Sequence, residues 1–182
     1  MILDERLKET EIKRNIVFDG KIFKIAQCKA ELCDGTLVDR EFMIHSGGVC
    51  ILPVDDDGNV YLVQQYRYGA GRVLLEIPAG KLEKGEIPYD CAVRELSEET
   101  GFSADKITPL GVMFSSPAIM SEIIYLYLAR NLTEGKKHLD NGEFLELVKI
   151  PFDEALEMVA NGEITDAKTQ LALLKAKCLG GI

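Results

Sequence analysis

Glu95, Glu98 and Glu99 stand at i, i+3 and i+4 in the run GKLEKGEIPYDCAVRELSEETGF, residues 80–102. On an α-helix those positions share one side, so the three carboxylates project together. Ala92, Val93, Leu96 and Thr100 supply the less polar side. Like charges at this spacing weaken an isolated helix by roughly 0.2–0.5 kcal/mol per pair, so helix stability does not account for the cluster. Divalent cations do. Hard carboxylate oxygens suit Mg²⁺ or Mn²⁺, and a small donor set leaves positions open for water and phosphate oxygens. Cations held in that way screen phosphoryl charge and lower the pKa of bound water. For a Glu trio taken alone, a solvated acidic helix face is the plain alternative. Pro88 as a first-turn residue and Gly101 as the residue after the last turn bracket a helix over 89–100.

The surroundings of the trio are far more particular than an acidic helix face requires. Gly80, Glu86, Arg94, Glu95, Leu96, Glu98, Glu99, Gly101 and Phe102 match the Nudix box G-x5-E-x7-R-E-U-x-E-E-x-G-U position for position, U being a bulky apolar residue. The chain therefore resembles the Nudix hydrolases. That resemblance implies an α+β chain with the Nudix fold, an α/β/α sandwich around a mixed sheet, acting on a nucleoside diphosphate linked to a further group. It implies Glu95, Glu98 and Glu99 as metal-facing carboxylates, the backbone carbonyl of Ala79 as a further ligand, and Arg94 as the group that orients the glutamates. Glu98 is thereby both a metal and a catalytic candidate. Glu86 either anchors the loop or holds a metal through water. The cofactor implied is Mg²⁺, with Mn²⁺ as a substitute.

Flanking segments resemble the ADP-ribose or ADP-sugar pyrophosphatase branch. Glu76-Ile77-Pro78-Ala79-Gly80 is similar to its E-x-P-A-G motif, Gln64-Gln65-Tyr66-Arg67 to its Q-[YF]-R strand end, and the segment 115–122, SSPAIMSE, to its S-P-G-x-S-x-E loop. Ala118 departs from the glycine usual there. The branch implies hydrolysis of ADP-ribose, or a related nucleoside diphosphate sugar, to AMP and ribose 5-phosphate. It also implies a homodimer that swaps a small N-terminal antiparallel sheet. From the acidic segment 140–146, DNGEFLE, Glu143 is the first candidate to activate water and Glu146 the second, against a simple polar turn. Arg67 and Glu76 are candidates on the substrate side, with a strand-end salt bridge as the competing role of Arg67. Arg40, from the neighbouring subunit, and Phe23 are candidates for the nucleobase, though a strand aromatic is often core. GDP-mannose or an oxidised nucleoside triphosphate remains the alternative substrate, and a non-catalytic ADP-ribose sensor the alternative of another class.

The elements that must position these residues are legible in outline. A chain of 182 residues with 47% hydrophobic and 28% charged residues has the makeup of one folded domain with a short appendage. D-G turns at Asp19-Gly20 and Asp34-Gly35 suggest an antiparallel sheet over 15–46. Residues 1–46 are read as lead-in and sheet, and 47–182 as the Nudix domain. Asp55-Asp56-Asp57-Gly58 reads as a hairpin turn, since Pro53 and Gln64 stand where a calcium loop needs oxygen ligands. Further strands are expected near 49–54, 60–66, 74–77, 107–114, 123–129 and 146–150. Helices are expected over 152–160 and 166–178, the latter capped by Thr165. The net charge of −9 disfavours nucleic-acid polymers as partners. No apolar run has membrane-spanning length, and residues 1–14 lack the apolar core of a secretory signal. Five scattered cysteines without a C-x-x-C pair suggest reduced thiols and a cytoplasmic protein.

Overall fold

The computed structural model describes residues 4–139 and 142–180. Its chain opens with three antiparallel strands in sequence order, β1 (Thr10–Asp19), β2 (Lys24–Glu31) and β3 (Leu37–Ile44). β1 begins earlier than the apolar texture suggests, because Thr10 and Glu11 already pair with Glu31 and Ala30. As an edge strand exposed along its whole length, β1 needs no apolar alternation to reveal it. Asp19-Gly20 opens a four-residue connection rather than a two-residue turn, closed by the Gly20 N–H donating to Phe23 O at 3.1 Å. Residues 116–122 join this unit, where the Met43 N–H donates to Ile119 O and the Ser121 N–H to Met43 O.

The second unit spans Gly47–Ser115 and the chain from Ile123 onward. It contains β4 (Gly48–Pro53), β5 (Asn59–Arg67), β6 (Arg72–Glu76), β7 (Ala79–Lys81), α1 (Pro88–Thr100), β8 (Phe102–Phe114), β9 (Ile123–Glu134), β10 (Leu145–Pro151), α2 (Phe152–Ala160) and α3 (Ala167–Cys178). The order β7-β4-β9-β8 forms a mixed sheet in which β4 and β9 are parallel, and β10-β5-β6 forms an antiparallel one. β4 is buried throughout, the signature of a central strand covered on both faces. Val49 and Ile51 pack in one cluster with Cys91, Ala92 and Leu96 of α1. Cys50 and Leu52 pack in another with Ala172, Leu173 and Ala176 of α3. The helices thus lie on opposite faces of the mixed sheet, the expected α/β/α sandwich, and each large apolar side chain so enclosed contributes roughly 1.5–3 kcal/mol.

Local chemistry sets the ends of the helices. Pro88 occupies the first turn of α1, and Gly101 ends it in the left-handed region at φ 79°. A Cβ at Gly101 would also stand 3.0 Å from Lys137 N. α3 is capped by Asp166 rather than Thr165. The Asp166 carboxylate accepts from the Thr169 N–H at 2.9 Å, while Thr165 Oγ1 accepts from Arg72. Asp is among the strongest caps, and it stands one residue closer to the first turn. The Asp55–Gly58 turn joins β4 to β5, which lie in different sheets and meet at the single antiparallel bridge Val54–Val60, with Asp55 accepting from the Asn59 N–H at 2.7 Å. Among the described residues no helix is long and apolar enough to cross a membrane.

Candidate active site

α1 delivers the acidic set, and one guanidinium organises it. Arg94 Nη1 donates to Glu95 Oε1 at 2.6 Å and to Glu98 Oε2 at 2.9 Å, while Nε and Nη2 donate to Glu86 at 2.9 and 3.1 Å. The helix is thereby tied to the loop preceding it. The Arg94 bond holds the Glu86 carboxyl down at about 2, helped by the Glu83 N–H. On the inner side Glu99 is 2% exposed and accepts from the Ala79 N–H at 3.0 Å. Burial pushes Glu99 up to about 8, the Ala79 bond opposes this, and the Glu95 and Glu143 carboxylates add to it. Glu95 is also raised by burial, in spite of Arg94. Gly80 lies directly beneath it, and a Cβ there would overlap the Glu95 carboxylate and make that carboxylate move.

Beside this set lies a second ion-paired group. Glu76, at the end of β6 and 1% exposed, accepts from Arg67 Nε and Nη2 at 2.8 Å each. Lys168 of α3 also donates to Glu76, and reaches Asp166 at 2.9 Å. Burial opposes ionisation of Glu76, but Arg67 and Lys168 together hold its pKa below the ordinary value. Thr169 secures the same corner by accepting from the Ile77 N–H at 2.9 Å. The ladder pairs Val63 with Glu76, Gln65 with Leu74 and Arg67 with Arg72, so Gln65, Arg67 and Glu76 share one face of that sheet. On that face Gln65 Nε2 donates to Glu143 Oε1 at 3.0 Å. Glu146 pairs with Gln64 and points to the other face, where it lines a groove with Tyr66, Val73 and Phe144.

The NUDIX domain family matches residues 44–171, which contain this whole arrangement. The chain belongs to that family. It is 40% identical over 169 residues to the ADP-ribose pyrophosphatase of Bacillus subtilis (strain 168), covering 92% of this chain and 91% of that one. It is 38% identical over 168 residues to the methanol dehydrogenase activator of Bacillus methanolicus, covering 91% of each. A crystal structure of an ADP compounds hydrolase superposes with a TM-score of 0.83 at 24% identity, covering 96% of this chain and 95% of the other. The superposition shows a shared fold. The chain is a Nudix pyrophosphohydrolase.

Within this Nudix unit the structure brings together Ala79, Glu86, Arg94, Glu95, Glu98 and Glu99, with Arg67, Glu76 and Glu143 nearby through the contacts above. Glu76 has both carboxylate oxygens engaged by Arg67 and Lys168, so its contacts are those of a residue that holds Arg67. Arg40 and Phe23 belong to the first unit. There Arg40 pairs with Glu9 at 2.7 Å, and the Phe23 ring lies 5.6 Å from that of Phe18. Asp140 and Asn141 of the acidic segment lie outside the described residues. Sequence reasoning passed over Lys168 and Asp166, which carry no local motif, and gave Gln65 no role although strand alternation puts it on the face of Arg67.

Proposed function

We propose that this protein hydrolyses the diphosphate of ADP-ribose, or of a related nucleoside diphosphate sugar, with Mg²⁺ as cofactor, releasing AMP and ribose 5-phosphate from ADP-ribose. The reading is carried by one observation. Buried carboxylates crowd together at Glu95 and Glu99 beside Glu143, and burial, with the neighbouring carboxylates adding to it, raises the Glu99 pKa to about 8. Its choice of substrate is supported by the name of the Bacillus subtilis relative.

The donor set fits a hard divalent cation. All its side-chain donors are carboxylate oxygens, and Gly80 keeps the Glu95 carboxylate unobstructed. Among the described residues no three His, Cys, Asp or Glu groups already converge as metal ligands. Arg94 uses one oxygen each of Glu95 and Glu98, which leaves the second oxygen of each for a cation. Glu95, Glu98, Glu99 and the Ala79 carbonyl would hold Mg²⁺, with Mn²⁺ as a substitute. When bound, the metal screens the diphosphate and acidifies water.

The remaining work falls to the chain's own groups. Arg67, steadied from behind by Glu76, keeps Nη1 for phosphate or ribose oxygens, a use suited to a planar guanidinium. Glu143 accepts the proton of the attacking water as a new P–O bond forms. The bond from that phosphorus to the bridging oxygen breaks, and the bridging oxygen leaves with the other phosphate. Arg94 keeps Glu95 and Glu98 in place throughout.

A homodimer that exchanges the first unit is part of the same proposal. Ile12, Ile16, Val17 and Phe18 of β1 are exposed in the single chain, an apolar strand suited to a partner copy. Free thiols at Cys28, Cys33, Cys50, Cys91 and Cys178 fit a cytoplasmic location. The test of the chemistry is product analysis. With ADP-ribose and Mg²⁺ the protein should release AMP, and Glu99→Gln should end that release. Tight binding of ADP-ribose without turnover in Mg²⁺ or Mn²⁺ would make the protein a sensor.

A further inference from the structure

We propose that Gln65 is a positioning residue for Glu143, its side-chain amide docking the segment after Gly142 so that the Glu143 carboxylate faces the acidic set of α1. This rests on the reading of Glu143 as the group that activates water.

Gln65 lies on β5, paired across the ladder with Leu145, which is buried two residues after Glu143. A rigid strand therefore meets the segment twice. The backbone pairing fixes its end at Leu145, and the amide reaches Glu143 itself at 3.0 Å. That bond fixes which way the amide points. A carboxylate only accepts, so the NH₂ group must face it, and the carbonyl oxygen must face elsewhere. Gln65 Oε1 is indeed buried with no hydrogen-bond partner among the described residues. A buried acceptor left unmet costs about 1–3 kcal/mol, so an apolar side chain would serve stability better at this position. Glutamine is explained by what its other end holds. Leu147, on the same face of β10 as Leu145, packs against the cluster of Cys91, Ala92 and Leu96, so the face on which Gln65 holds Glu143 is the one turned to α1. Two residues along the same face, Arg67 is oriented by Glu76. The Q-Q-Y-R strand end thus supplies, at alternate residues, one group that orients the base and one that is itself oriented toward substrate.

Five proteins test this: wild type, Gln65→Leu, Gln65→Glu, Glu143→Gln and the double variant Gln65→Leu with Glu143→Gln. Gln65→Leu should lower kcat by about 10–100-fold, the scale of a misplaced catalytic group, with KM changed less than about twofold. Gln65→Glu, equal in size but repelling the Glu143 carboxylate, should be at least as slow. In the Glu143→Gln background, Gln65→Leu should change kcat by less than about twofold, because a residue acting through Glu143 has nothing left to position. Amide hydrogen exchange at residues 142–145 in metal-free, substrate-free protein should speed up in Gln65→Leu while α1 is unchanged. Global unfolding free energy should be equal or higher. Wild-type kcat in Gln65→Leu, or full multiplication of the two single effects, overturns the inference while Glu143 keeps its role. Full turnover by Glu143→Gln removes the base assignment itself, and the role of Gln65 falls with it.

Discussion

Replacing Glu99 with Gln should make the metal-free protein more stable as it ends turnover. In protein stripped of divalent cations, burial, with the Glu95 and Glu143 carboxylates, holds Glu99 at about 8 against an ordinary value of 4.5. The unfolded chain loses this proton at the ordinary pH and the folded chain retains it. Between those two values the folded state binds more protons, so stability is intact below pH 4.5 and falls as pH rises towards 8. At 1.36 kcal/mol per pKa unit the loss is about 1 kcal/mol at pH 5, about 3 at pH 7 and about 4 at pH 8. Gln carries no charge, keeps an oxygen for the Ala79 N–H, and has nearly the same shape. Urea unfolding in EDTA, followed by circular dichroism at pH 5, 6, 7 and 8, reads the difference directly. Glu99→Gln should gain on wild type by about 3 kcal/mol between pH 5 and pH 8. Saturating Mg²⁺ should reverse the order, because the bound ion stabilises only the protein that holds it. A difference between the two proteins that does not change with pH in EDTA would refute the reasoning.

Other perturbations separate the two charged groups. Lys168→Met leaves Glu76 buried with Arg67 alone, so stability should fall by about 3 kcal/mol in urea unfolding, and KM should rise more than kcat falls. Gly80→Ala displaces the Glu95 carboxylate. It should weaken Mg²⁺ binding measured by calorimetry and lower kcat about 100-fold. Asp166→Ala should cost about 1 kcal/mol through loss of the α3 cap, whereas Thr165→Ala should be nearly silent.

What could be read along the chain was whatever local spacing determines. Pro88 and Gly101 mark α1 because each acts on its own turn, and the glutamate trio follows from helical periodicity alone. The all-apolar run of β4 announced a strand covered on both faces. Features set by distant partners were hidden. Lys168 meets Glu76 from 92 positions away, and nothing near either residue announces the pair. Glu143 and Glu146 look alike in sequence, and only the register of β10 on β5 sends Glu146 to the other face. β1 reaches back to Thr10, before the apolar texture begins, and an exposed edge strand shows no apolar alternation to mark it. Thr165 and Asp166 are both good caps, so the choice between them depended on a one-residue difference in where α3 begins.

The most direct test of the central claim is kcat/KM for a panel of nucleotides with Mg²⁺, products identified by chromatography. The panel should include ADP-ribose, ADP-glucose, GDP-mannose and an oxidised deoxyguanosine triphosphate. The account predicts that ADP-ribose is among the best substrates and yields AMP and ribose 5-phosphate. A triphosphate outperforming every nucleotide sugar by a large factor, or no turnover of any of them, would contradict it.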